Sequence, residues 1–388
     1  MVKSIEGKDR NKQSLLIVSH TPMVAHFFLR GHIQALKNKF NIILAHNTKI
    51  DKFCPSVMDL CQIQSISIQR KITFFRDILA MFQIIILIIK YQPKIVLSVT
   101  PKSGLLGMLV ARLLGVKVRL HIFQGEIWPN RTGFLKKILM LCDSLIIKNS
   151  THLLCVSESE KMLLQSTFSM KLGKIEVLGY GTICGVKPKF FEVNPAGVKL
   201  DDPIKYELEG FKVCAYLGRI CEEKGVRDLI NAFCLLDHST KDKRLVFIGP
   251  EENFSIAEEL KKIPENLQKL ILTYPFTENP ENILPLANFL CLPSYREGFG
   301  LSILEAAAMG IPAIGTRIVG ISDAIVENET GLLCEPRNPN DLAKCLQSMF
   351  DDDALRRRLG SNARQRAAKY FRQSEVVSLY AEYIGQLT

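Results

Sequence analysis

The stretch that most constrains this chain is Pro293-Ser-Tyr-Arg-Glu-Gly-Phe-Gly-Leu-Ser-Ile-Leu-Glu305, continued by Ala306-Ala-Ala-Met-Gly310. An apolar run of strand length, Asn288 to Pro293, precedes it, and Leu301 to Met309 is rich in strong helix formers. The order is therefore strand, glycine-bearing turn, helix. Gly298 and Gly300 let the backbone turn without a Cβ clash. The first-turn amides of the helix then lack internal partners and share the positive end of the helix dipole, which suits an anion such as a diphosphate.

Two carboxylates, Glu297 and Glu305, bracket the turn. Eight residues of mostly helical chain separate them by roughly 12 Å along the axis. A carboxyl pair cleaving one glycosidic bond needs about 5 Å, or under about 10 Å, between its members. They fit better on different parts of one long ligand, with Glu297 near a sugar and Glu305 accepting hydrogen bonds from a ribose. A solvated helical glutamate is the plainer account of Glu305, but it leaves the rest of the motif unexplained.

At this point the motif resembles a known family. The run E-G-F-G-x-x-x-x-E is similar to the E-x7-E signature of family 4 glycosyltransferases, and the flanking Leu-Pro-Ser-Tyr-Arg and Ala-Ala-Ala-Met-Gly-Ile-Pro pieces match too. That resemblance implies an α/β protein of the GT-B fold, with two Rossmann-like doubly wound domains facing across a cleft, and a retaining transfer. A second motif, Gly218-Arg-Ile-Cys-Glu-Glu-Lys-Gly225, follows the apolar run Lys212 to Leu217. It is similar to the family's G-R-x-x-x-E-K-G, in which Arg219 and Lys224 bind the donor diphosphate. Two cations at a strand end can neutralise a departing diphosphate. The resemblance implies Glu297, Arg219 and Lys224 as catalytic residues. It implies a donor site of Gly218, Arg219, Lys224, Phe276, Glu297, Gly298, Phe299, Gly300, Leu301 and Glu305, with Thr273 to Phe276 seating the base.

The earlier half is expected to bind the acceptor. Ser14 to Ser19 reads as a buried parallel strand and Phe27 to Lys37 as the helix after it. Their loop holds His20, Thr21, Pro22 and His26 but no glycine before Gly31, which favours an acceptor-side role for His20 over a phosphate contact. Thr100-Pro-Lys-Ser-Gly104 resembles a turn of polysaccharide-assembly members, and Lys102 at that helix start is a candidate to hold an acceptor phosphate. After the strand Val116 to Phe123, many relatives carry a histidine where this chain has Gln124. Gln124, Glu126 and Trp128 are sugar-pocket candidates by position, with Glu126 a candidate to take the acceptor hydroxyl proton. Ordinary surface roles compete at each of these positions.

Length allows about two domains. The expected division is 1–187 for the acceptor domain, 188–210 for a linker with Pro188, Pro195 and Pro203, 211–371 for the nucleotide-sugar domain, and a last helix in 372–388 packing back on the first domain. Charge is uneven within a net +11: residues 1–186 carry 25 Lys+Arg against 10 Asp+Glu, and the remainder 25 against 29. The basic half is the one to meet an anionic surface. No aromatic-interleaved basic motif points to nucleic acid, so a lipid headgroup surface is the expected partner. The apolar run Ile78 to Ile89, twelve residues between Asp77 and Lys90, is too short to span a bilayer. With Arg70, Lys71 and Arg76 at its start it is either a core helix or one lying on a membrane.

Eleven cysteines show no Cys-x-x-Cys pair and no zinc spacing, so they read as free thiols in a reducing compartment. The polar N-terminus implies no export signal. No metal and no cofactor are expected. Arg356 to Arg358 read as a solvated helix face. The expectation is thus a metal-independent transferase moving a sugar from a UDP-sugar to a polyprenyl-diphosphate-linked saccharide at the cytoplasmic membrane face. A nucleotide-sugar epimerase of the same fold and a non-catalytic binding subunit are the alternatives. A dinucleotide dehydrogenase is disfavoured because no G-x-G-x-x-G follows the first strand.

Overall fold

A computed structural model of the chain describes residues 12–47, 55–69, 73–171, 173–192 and 203–387. Residues 1–11, Cys54, Arg70, Lys71, Pro195 and the acidic pair at 201 and 202 lie outside them. The chain divides into two compact units, Met1–Cys184 with Gln373–Thr388, and Gly185–Arg372.

The first unit is built on seven strands: β1 (Gln13–Val18), β2 (Phe40–His46), β3 (Gln62–Ser65), β4 (Ile95–Ser98), β5 (Val118–Phe123), β6 (His152–Cys155) and β7 (Glu176–Val177). All neighbours run parallel, in the order β3-β2-β1-β4-β5-β6-β7. The central strands are apolar runs with no alternation because helices cover both faces. Leu15, Leu16, Ile17 and Val18 are all buried, in register with Ile42 to Ala45 on one side and Ile95 to Ser98 on the other. The helix Pro101–Leu113 starts at a capping box, the Thr100 and Ser103 hydroxyls 2.7 Å apart, with Pro101 in its first turn. The C-terminal helix Gln373–Gln386 packs on the helix Arg30–Leu36, and the Tyr380 hydroxyl donates to the Thr182 carbonyl.

The second unit has six parallel strands: β8 (Lys212–Leu217), β9 (Lys243–Ile248), β10 (Ile271–Tyr274), β11 (Phe289–Leu292), β12 (Ala313–Thr316) and β13 (Gly331–Cys334), ordered β10-β9-β8-β11-β12-β13. This is the doubly wound order, which reverses direction between β8 and β11. Phe233, Phe289 and Phe350 fill its core, the last two rings 4.9 Å apart and edge to face. Each such buried ring contributes about 2–3 kcal/mol.

Four expectations are amended. The first helix region begins earlier than Phe27, with Pro22–Val24, Ala25–Leu29 and Arg30–Leu36 forming successive α, π and α segments. The expected linker 188–210 contains the helices Pro188–Glu192 and Pro203–Leu208, and Phe190 and Leu208 are buried in the second unit's core, so the units divide at Cys184 and Gly185. Arg356 is buried, not solvated: it donates to the carbonyls of Met349 and Phe350, the C-terminal carbonyls of the preceding helix, and pairs with Asp353. The run after Asp77 forms the helix Phe74–Tyr91, which buries only Ala80, Ile84, Leu87 and Ile88 and leaves its other apolar side exposed.

The ten described cysteines are free, seven of them buried. Among the described residues, no helix is long and apolar enough to cross a membrane.

Candidate functional site

In the second unit, the two motifs occupy the loops after β8 and β11, the two strands that flank the reversal of strand order. Ligands of doubly wound sheets bind at the carboxyl ends of strands at this point. The first loop leaves β8 at Gly218, passes through the short turn Glu222–Lys224, and starts the helix Val226–Cys234 at Gly225. The second leaves β11 at Pro293 and starts the helix Leu301–Ala308 at Gly300, whose φ of 81° is left-handed.

The two loops are packed together. Gly225 has φ 68°, and a Cβ there would overlap the Pro293 carbonyl oxygen. The Tyr295 amide donates to the Glu223 carbonyl at 2.9 Å. The Lys224 ammonium pairs with Oε1 of Glu297, and the Ser294 hydroxyl donates to the same oxygen at 2.9 Å. Lys224 and Glu297 keep only 14% of their side-chain surface. Arg219 pairs with Glu252, in the loop after β9, and with Glu223 at 3.0 Å; Arg296 reaches Glu223 at 3.2 Å. Arg296 and Arg219 together hold the Glu223 carboxyl down to about 2 against the effect of its partial burial.

The cations expected to meet a diphosphate are thus already balanced by Glu223, Glu252 and Glu297. A bound diphosphate would exchange partners with these carboxylates rather than meet bare charge. Beneath the second loop, the Thr316 hydroxyl at the end of β12 donates to the Ser294 carbonyl. Gly320 comes so close that a Cβ would overlap the Gly298 carbonyl oxygen.

Glu305 lies on the first turns of the helix Leu301–Ala308. Desolvation pushes its carboxyl up to about 7, with Lys187 and Lys189 opposing the shift and Glu281 adding to it. Phe299 is buried and packs on Phe371, ring centroids 5.4 Å apart, so it anchors the loop. Phe276, after β10, is exposed. Among the described residues no group of three or more His, Cys, Asp or Glu side chains is placed to hold a metal ion.

In the first unit, His20 follows β1 and Lys102 follows β4, the strands that flank that sheet's own reversal. Lys102 is engaged by Asp77 at 2.7 Å, both side chains largely covered. Glu126 and Trp128 are buried, and burial pushes up the Asp143 carboxyl beside Glu126, a hydrogen bond between the two opposing the shift. The loop they belong to is held from behind by Glu160, which accepts from the amides of Gly125 and Val156. The Gln124 amide nitrogen is buried without a hydrogen-bond partner.

Sequence reasoning missed Ser294, Arg296, Glu252, Thr316 and Gly320. Ser294 and Arg296 sit inside the quoted motif and could have been noted; the contacts of Glu252, Thr316 and Gly320 depend on strands distant in sequence.

Comparison with known proteins agrees with this geometry. Residues 199–366 match the family model described as glycosyl transferases group 1, and residues 16–125 match glycosyl transferase 4-like. The capsular polysaccharide biosynthesis glycosyltransferase CapM of Staphylococcus aureus is 26% identical over 92% of this chain and 94% of its own. Among solved structures, HepE of Anabaena in complex with UDP superposes with a TM-score of 0.78 at 13% identity, covering 96% of this chain and all of the other. Sucrose-phosphate synthase of Thermosynechococcus elongatus does so at 0.78 and 19% identity, covering 97% and 99%. With two strand-end motifs packed at the reversal of a doubly wound sheet and family models matching both units, this chain belongs to the family 4 glycosyltransferases and has the GT-B fold.

Proposed function

We propose that this glycosyltransferase moves a sugar with retention from a UDP-sugar to a hydroxyl of a polyprenyl-diphosphate-linked saccharide, in bacterial cell-surface polysaccharide assembly at the cytoplasmic membrane face. The observation that carries the reading is the Lys224–Glu297 pair, which joins the two motif loops at the strand reversal. The UDP complex of HepE supports the choice of nucleotide, and the naming of CapM supports the pathway class.

In this mechanism the bond between the sugar's anomeric carbon and the β-phosphate oxygen breaks, and the UDP oxygen keeps the electron pair. The acceptor oxygen bonds to the same face of that carbon, and its proton passes to the departing diphosphate oxygen on that face. Arg219 and Lys224 stabilise the charge growing on the diphosphate, assisted by the first-turn amides after Gly300. Those two cations supply what a metal would, so chelation should leave transfer unchanged. Glu297, released from Lys224 as the diphosphate arrives, orients the sugar; Glu305 accepts from the ribose hydroxyls.

The test is a nucleotide-sugar panel offered to the purified chain with soluble and lipid-linked saccharides, with and without EDTA, read by mass. A sugar-sized mass gain on the lipid-linked acceptor from a UDP donor, insensitive to EDTA, is expected. An isomerised sugar released from donor alone would assign an epimerase instead. No donor turnover at all would assign a binding subunit.

A further inference from the structure

The helix Phe74–Tyr91 departs from the pattern of a surface helix. Its inner side is apolar, as it must be, with Ala80, Ile84, Leu87 and Ile88 buried against the sheet. Its outer side is apolar too: Phe74, Phe75, Ile78, Leu79, Phe82, Ile86 and Ile89 are exposed. At about 100° per residue these seven share one arc of roughly 140°, a continuous stripe along the helix. Phe75 is 85% exposed and Phe82 60%. A solitary exposed leucine needs no explanation, whereas a contiguous stripe of this kind marks an interaction surface.

The stripe has a neighbour. The helix Pro101–Leu113 packs against Phe74–Tyr91 on one side and Gly133–Asn149 on the other. The latter exposes Phe134, Leu135, Leu141 and Leu145, with Phe134 at 77%. The three helices follow β3, β4 and β5 in an all-parallel sheet, so all three begin at the carboxyl edge. Phe74, Phe75, Phe134 and Leu135 therefore stand at that edge, with Lys102 in the first turn of the helix between them. Exposed Arg76, Lys90, Arg131 and Lys137 accompany the apolar groups, in the half of the chain that carries 25 basic against 10 acidic residues.

We infer that this face docks on an anionic lipid bilayer, with the carboxyl edge of the first sheet turned toward the headgroups. Apolar side chains enter the headgroup–acyl boundary while lysines and arginines meet lipid phosphates. A protein partner would be served by the apolar stripe alone; the surrounding basic residues and the basic half-chain favour a surface of negative charge. The Lys102–Asp77 pair ties the first turn of the docked helix to the first turn of the helix that follows β4, so the end of β4 at the strand reversal is held beside the bilayer. This inference rests on the proposed lipid-linked acceptor and names the surface that would reach it.

The test is flotation of the full chain with vesicles of phosphatidylcholine, with or without phosphatidylglycerol, comparing wild type with Phe75→Glu/Phe82→Glu and with Arg76→Glu/Lys137→Glu. Wild type should float with the phosphatidylglycerol vesicles, the first variant should lose at least tenfold in bound fraction, and the second should lose the preference for anionic lipid. Transfer to a soluble acceptor, measured without vesicles, should be unchanged in both variants, which shows that they fold and keeps this result separate from the proposed reaction. Failure of wild type to float, or equal flotation of all three proteins, overturns the inference. So does sedimentation showing a wild-type dimer that Phe75→Glu/Phe82→Glu dissociates, since a second copy would then cover the face.

Discussion

Lys224 and Glu297 stand 73 residues apart in the chain, yet their side chains form an ion pair between the loops that leave β8 and β11. The pair exists because those two strands are neighbours at the point where the sheet order reverses. Removal of either partner leaves the other in a largely covered position without its counter-charge.

Lys224→Ala or Glu297→Gln should each lower transfer by about 100-fold or more, the scale for losing one group that stabilises developing charge. Because the two act through one contact, the double variant should be little worse than the worse single. Steady-state rates at saturating acceptor check this, and near wild-type transfer by the double variant would reject the site.

Gly225→Ala should destabilise the second unit by roughly 2–4 kcal/mol, combining a left-handed backbone with overlap on the Pro293 carbonyl. Gly210 has a similar φ, 81°, with open space around its Cβ position. Gly210→Ala should therefore cost only about 1–2 kcal/mol. Urea unfolding of both variants separates close approach from backbone strain, and equal costs would refute the packing of the two loops.

Glu305, pushed up to about 7, is largely protonated at pH 6 and largely ionised at pH 8. Ribose hydroxyls that donate to it favour the ionised form, so UDP should bind more tightly as pH rises through 7 and should release a proton on binding. Calorimetry in buffers of different ionisation enthalpy reads that proton directly. Glu305→Gln should abolish the pH dependence; proton uptake by wild type would exclude the ribose role.

Glu223 is held near 2, below its ordinary carboxylate value, by Arg296 and Arg219. A depressed folded-state value contributes stability that is present above the unfolded value, about 4.3, and lost as pH falls through 2. The stability gap between wild type and Glu223→Gln should therefore be full at pH 7 and shrink between about pH 4 and pH 2. A gap independent of pH would mean that the ion pairs contribute nothing.

Much of this architecture was legible in the order of residues. The runs Ser14 to Ser19, Lys212 to Leu217 and Asn288 to Pro293 are apolar without alternation, which only a strand covered on both faces tolerates, and each is followed by turn residues and a helical pattern. β3, Gln62–Ser65, was not legible, because an edge strand of largely polar residues carries no such signal. The glycines and charges of the two motifs could be read as a local design for a diphosphate, since turn geometry and helix capping act over a few residues.

What no local pattern contained was the meeting of distant groups. Arg219 finds Glu252, Thr316 supports Ser294, and Gly320 lies against Gly298 only because β8, β9, β11 and β12 assemble in one sheet. The helix Phe74–Tyr91 shows the same limit from the other side: its sequence is apolar around most of its circumference, so periodicity could not say which side would be covered. Packing decided that, by burying Ala80, Ile84, Leu87 and Ile88 against the sheet and leaving the phenylalanines outside. Sequence fixes which surfaces are apolar, through side-chain chemistry alone; which of them find a partner depends on contacts between segments that the chain brings together only on folding.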